Sequence, residues 1–235
     1  MTIHKLGITL AALSLVGTVA LAQSNQGLIA GPAATSRDSL PGAYTPPPQR
    51  PAGLVTIFSN LATKYPKSLY FCCYSYSVEG PNSGGHELWD AEAFTPASDQ
   101  TVTRIEIAIT LGAGTNEAVV AIYNDNSGVP GTALKTWHVT NLSGYNTCCD
   151  LAVLKDNAGI PLTAGHQYWV VLKTDSTNKD SGIQWHANTS DQIDSMPFAQ
   201  YCSNDAGGPT CSTTNDAWQP DGSVIPGLAL GVFGH

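Results

Sequence analysis

Charge is scarce in this 235-residue sequence: Asp, Glu, Lys and Arg make up 12% of it, with 10 basic against 18 acidic residues. A formal net charge of -8 at pH 7 gives the chain little with which to displace counterions from nucleic acid, and it disfavours an anionic membrane surface. Helical periods are absent after Leu54, no internal repeat is visible, and the last apolar run, Leu228 to Phe233, is far too short to span a bilayer. Catalytic signatures are equally sparse. No Gly-x-Ser-x-Gly elbow occurs. His86-Glu87-Leu88-Trp89-Asp90 opens like a zincin motif, but Asp90 stands where the second histidine belongs, and the segment has the texture of a strand rather than a helix. His138, His166, His186 and His235 are scattered. Asp90 with Glu92 and Asp191 with Asp194 are close in sequence, yet glycosidase chemistry depends on a gap in space. No enzyme and no cofactor are expected.

What is present describes an exported, turn-rich protein. Met1 to Lys5 ends in a cation, Leu6 to Val19 is largely apolar, and Ala20-Leu21-Ala22 fits the small-x-small rule for signal peptidase, so residues 1–22 read as a signal peptide. No lipobox cysteine follows it. Residues 23–53 show no hydrophobic period, and Pro41, Pro46, Pro47, Pro48 and Pro51 favour an extended, disordered tether. Residues 54–235 then form one domain. The expected location is secreted, extracellular or periplasmic, with no membrane insertion after cleavage.

Beyond Leu54, short apolar runs are divided by Gly, Asn, Asp and Pro, the pattern of an all-β, antiparallel, jelly-roll-like β-sandwich. In Arg104 to Leu111 a period of two puts Ile105, Ile107, Ile109 and Leu111 on one face, which predicts a strand covering the core with one side only. Glu117 to Tyr123 and Gln167 to Leu172 are apolar almost throughout and read as the middles of the two sheets. Further strands are expected at Leu54–Phe58, Leu88–Phe94, Thr132–Val139, Leu151–Leu154, Gly182–Ala187 and Leu228–Phe233. A hairpin should reverse within Asn124 to Gly131.

Four strings, Glu92-Ala93-Phe94-Thr95-Pro96, Val102 to Ala108, Ile122-Tyr123-Asn124-Asp125 leading to Gly128-Val129-Pro130-Gly131-Thr132, and Ile160 to Val170, occur in an order and spacing that resemble the choice-of-anchor R family of bacterial exported domains. The resemblance covers most of Leu54 to Phe233. It implies a secreted β-sandwich, often displayed at the cell surface through a variable C-terminal sorting signal. The last residues here, Gly231 to His235, contain no sortase motif, hydrophobic tail or basic cluster.

All six cysteines follow the cleavage site, where disulfides are permitted. Cys202 and Cys211 enclose Gly207-Gly208-Pro209, which can bend the chain back, so these two should pair. Cys72-Cys73 and Cys148-Cys149 leave two schemes open. A vicinal ring is strained because neighbouring Cα atoms are about 3.8 Å apart, whereas cross-pairing must reckon with adjacent strand residues pointing to opposite faces. Zinc ligation by either pair lacks the Cys-x-x-Cys spacing.

For binding, aromatics are the best lead. Trp89, Trp137, Trp169, Trp185 and Trp218 could stack on sugar rings, and Gln184 and His186 flank Trp185 with hydrogen-bonding groups. An exposed Trp185 would require a strand irregularity near Asn188-Thr189-Ser190, since Trp185 cannot otherwise share a face with its neighbours. Asn124, Asp125 and Asn126 cluster oxygens in one loop, a calcium candidate set against plain turn chemistry, and no dedicated metal site is expected. These features point to a non-enzymatic extracellular module that binds a glycan or matrix component through an aromatic-bearing face. The alternatives are a self-assembling matrix or surface protein whose partner is copies of itself, and a hydrolase whose acids meet only in the fold.

Overall fold

Alternation of side chains across a pleated strand turns most of these apolar runs into β-structure. The computed structural model describes residues 28–30, 49–61, 69–145, 147, 150–175, 177, 179–188, 196–203, 217–221 and 227–235. Among the described residues the elements in chain order are β1 (Leu28–Ala30), β2 (Val55–Ser59), β3 (Tyr70–Glu79), α1 (Pro81–Gly84), β4 (Glu87–Phe94), β5 (Gln100–Ile107), β6 (Ile109–Ala113), β7 (Glu117–Asp125), β8 (Pro130–Thr140), β9 (Ala152–Leu162), β10 (Tyr168–Lys173), β11 (Gly182–Asn188), β12 (Phe198–Ser203), β13 (Ala217–Asp221) and β14 (Leu230–Gly234). The named strands pair antiparallel throughout and form two sheets. The larger runs β6-β11-β3-β4-β10-β7-β8, with β1 on β3 and β12 joining β4 to β13, and the smaller runs β2-β14-β5-β9. Their inner faces enclose one core that includes Val78, Phe94, Ile105, Ile107, Ile122, Val170, Leu172, Ile183, Trp185 and Val232. The chain is therefore an all-β sandwich.

Arg104 to Leu111 keeps its expected period but not its expected single strand. Ile105, Ile107 and Ile109 all enter the core and Leu111 packs against it, yet the ladder breaks at Ala108, where β5 leaves the smaller sheet and β6 begins in the larger. Ala108 N–H donates to the Ala229 carbonyl and its own carbonyl accepts from His186 N–H, so the crossing point is hydrogen-bonded between sheets. The opposite side of the segment is buried as well, with Arg104, Glu106, Ala108 and Thr110 all 5% exposed or less. β7 and β10 are covered on both faces as expected, but they are neighbours in one sheet rather than the centres of two.

The hairpin reverses where its residues demand it. Ser127 and Gly128 have φ of 58° and 90°, and Asn126 N–H bonds the Val129 carbonyl, the geometry of a two-residue type I′ turn between β7 and β8.

Four strands lie outside the expected set: β1, β3, β12 and β13. β3 does carry a period of two, with Tyr76 and Val78 in the core and Ser75 and Ser77 on the other face. The proline-rich segment also touches the domain: β1 pairs with Tyr74–Tyr76 of β3, and Arg50 forms a two-pronged ion pair with Glu106 while its guanidinium lies 3.9 Å from the Phe233 ring centre. Cys202, in β12, is a half-cystine. Cys72 and Cys73 fall in β3, while Cys148, Cys149 and Cys211 lie outside the described residues, as does the expected signal peptide. No described helix is long and apolar enough to cross a membrane.

Candidate functional site

Trp185 is not on an open face. Its side chain is fully buried in the core between the sheets, its indole N–H donates to the Ala229 carbonyl at 3.2 Å, and its neighbours point the other way. Gln184 and His186 are also buried, at 7% and 1% exposure. Gln184 is held between Ser75, whose hydroxyl donates to Oε1, and Ser77, whose hydroxyl accepts from Nε2. His186 Nδ1 donates to the Phe71 carbonyl at 3.0 Å, which leaves Nε2 to accept from the Thr110 hydroxyl at 2.9 Å. An irregularity does occur between His186 and Asn188, but it follows Trp185 without turning it outward. The expected glycan site at Trp185, Gln184 and His186 is therefore an internal polar and aromatic layer. A tryptophan flanked by polar residues reads as half-exposed only if the polar side meets water, and here the chain around Tyr70, Phe71 and Tyr145 covers it.

The calcium candidate loop is likewise occupied by its own turn. Asn124 Oδ1 accepts from Thr132 N–H at 2.6 Å, and Asp125 Oδ1 accepts from Trp169 Nε1 at 2.8 Å and Gln167 Nε2 at 3.0 Å. Both Asp125 oxygens also approach Gly128 N–H. Asn126 contributes its backbone to the turn. These contacts favour turn chemistry over an oxygen cage, which needs six to eight ligands.

The aromatic side chains that do gather lie on the outer face of the larger sheet. Ala91, Ala93, Trp169, Val171 and Ala199 form a second small core there, with Tyr123 and Trp218 packed on it. Strand alternation puts Trp89 on the same face as Ala91, Tyr201 with Ala199, and Lys173 with Val171. Register then aligns them: Trp89 is opposite Tyr201, Tyr201 opposite Trp218, Lys173 opposite Val119, and Val119 opposite His138. The result is one row across six strands, about 24 Å long at the usual strand spacing. Trp89 and Tyr201 stack at 4.2 Å between ring centres, and Trp218 tilts against them at 6.2 Å and 5.8 Å. The Lys173 ammonium sits 5.1 Å from the Trp89 ring centre. All four side chains are partly exposed.

Residue type alone singled out Trp89 and Trp218; Tyr201 and Lys173 needed the register. Trp137 bridges the sheet edges, donating to the Lys155 carbonyl, and Trp169 is completely buried. The Asp90–Glu92 pair is wholly buried too, and Asp191 and Asp194 are outside the described residues. No protein-family model matches this sequence. No curated protein matches it either.

Proposed function

We propose that the chain is an exported β-sandwich module that holds extracellular polysaccharide against the outer face of its larger sheet. The observation that carries this reading is the gathering of Trp89, Tyr201 and Trp218 from three adjacent strands, with Lys173 beside them. Indole and phenol faces pack against the C–H faces of sugars, while an ammonium supplies hydrogen bonds to hydroxyls, and the partial exposure of these rings leaves area to be covered. The leader-like residues 1–22 and the resemblance to the choice-of-anchor R family support export. A Cys202–Cys211 bridge would fasten the chain between β12 and β13 and so hold Tyr201 beside Trp218.

Binding of the purified protein to a panel of soluble polysaccharides tests the proposal. Trp218 is on β13, an edge strand, so Trp218→Ala should weaken binding by about 1–3 kcal/mol with little change in melting. Trp185→Ala should do the reverse, costing roughly 3–5 kcal/mol of stability because it empties a packed core position. Glycan affinity unchanged by Trp218→Ala and Tyr201→Ala would remove this face from the function.

A further inference from the structure

We propose that Glu117, His138 and Asp175 bind one divalent transition-metal ion, with zinc the best match. Register brings the three together. Val119 is opposite both His138 and Lys173, and Glu117 and Asp175 each lie two residues from that row on the same face of β7 and of the chain leaving β10. His138 Nδ1 is 3.0 Å from Asp175 Oδ2 and 3.6 Å from Glu117 Oε1, and the ligand atoms all lie within 4.8 Å of one another. Ligands about 2.0–2.1 Å from a tetrahedral zinc are roughly 3.3 Å apart, so both measured edges are close to that spacing.

The second observation is the way Asp175 is held. It is 8% exposed, and its Oδ1 accepts from both the N–H and the hydroxyl of Thr177, at 2.7 Å and 2.6 Å. Those bonds turn Oδ2 toward the cluster, as supporting hydrogen bonds do for metal-bound carboxylates. The two carboxylates bring two negative charges to the set, which a dication balances. A nitrogen ligand with two carboxylates suits zinc rather than calcium or magnesium, which prefer oxygen shells of six or more. The His138 side chain is 62% exposed, so water or a ligand hydroxyl could complete the coordination. The ion would tie β7, the edge strand β8 and the chain after β10 together. This inference does not depend on the glycan reading.

Calorimetric titration of chelator-treated, disulfide-intact protein with zinc chloride tests it, alongside calcium and magnesium chlorides. One zinc per chain and a raised melting temperature are expected. His138→Ala and Asp175→Asn should each weaken zinc binding by about tenfold or more, whereas His166→Ala, at an exposed histidine elsewhere, should not. Circular dichroism without metal shows whether each variant is folded. Absence of one-to-one binding by the wild type at about 100 µM, or equal zinc affinity in folded His138→Ala, would overturn the proposal.

Discussion

Two buried titratable residues set opposite demands on pH. Burial pushes the His186 imidazole down from 6.5 to about 4, and the Phe71 carbonyl offsets only part of this. Between pH 6.5 and about 4 the unfolded chain therefore binds a proton that the folded one refuses, and stability is lost as pH falls through that window. The gap corresponds to about 3 kcal/mol. Glu92 works the other way: complete burial, reinforced by Asp90, raises its carboxyl well above 4.5 despite the Leu228 N–H on Oε2. Its contribution is full at low pH and declines as pH rises above 4.5. Gly227 belongs to the same arrangement, because a Cβ there would lie 2.8 Å from Glu92 Oε1 and 2.9 Å from Asn188 Nδ2. Urea unfolding at pH 4 to 8 should show a wild-type maximum between these limits. Glu92→Gln should flatten the alkaline decline, and His186→Gln the acid one, at some cost in overall stability. A His186→Gln protein with the wild-type acid slope would show that another group governs it.

At the scale of elements, legibility followed the covering of faces. β7, β10 and the isoleucines of β5 were readable because apolar residues at period two, or in an unbroken run, have few alternatives to a buried strand. β3 was not, because its Tyr-Ser alternation mixes polar and aromatic residues and buries both. The same cause misplaced Trp185: Ser75 and Ser77 satisfy Gln184, and Thr110 and the Phe71 carbonyl satisfy His186, inside the protein, and that pairing needs the partner strands to be known. The outer aromatic row is a product of register among β4, β12 and β13, two of which carry no apolar period. Neighbouring contacts also bear on the cysteines. Tyr70 Oη donates to the Asp150 carbonyl at 2.9 Å, and Phe71 and Tyr145 both contact His186, so the chain just before Cys72 and the residues flanking Cys148-Cys149 share one neighbourhood. Non-reducing digestion and mass spectrometry should therefore find bonds joining Cys72 and Cys73 to Cys148 and Cys149, and Cys202 to Cys211. Vicinal rings at both pairs would contradict this.

Across the whole molecule, an ion pair on the smaller sheet fastens the end of the proline-rich stretch to the sandwich. Glu106 is fully buried, and two cations meet it: Arg104 Nε at 2.7 Å from its own strand and Arg50 Nη2 at 2.8 Å from far away in sequence. Arg50 is itself 38% exposed, so its charge is cheaply brought there, and its guanidinium also covers the Phe233 ring of β14. Removing it strips one charged partner from a buried carboxylate and uncovers an aromatic ring, which costs more than losing a surface ion pair. Arg104 remains to share the load, so the expected loss is about 2–3 kcal/mol rather than the larger penalty of an orphaned charge. Denaturant unfolding of Arg50→Ala should give that loss with an unchanged slope, and, of two fragments that both lack β1, one beginning at Leu54 should be less stable than one beginning at Gln49 by the same amount. If the two fragments are equally stable, Arg50 is only a passenger on the sheet.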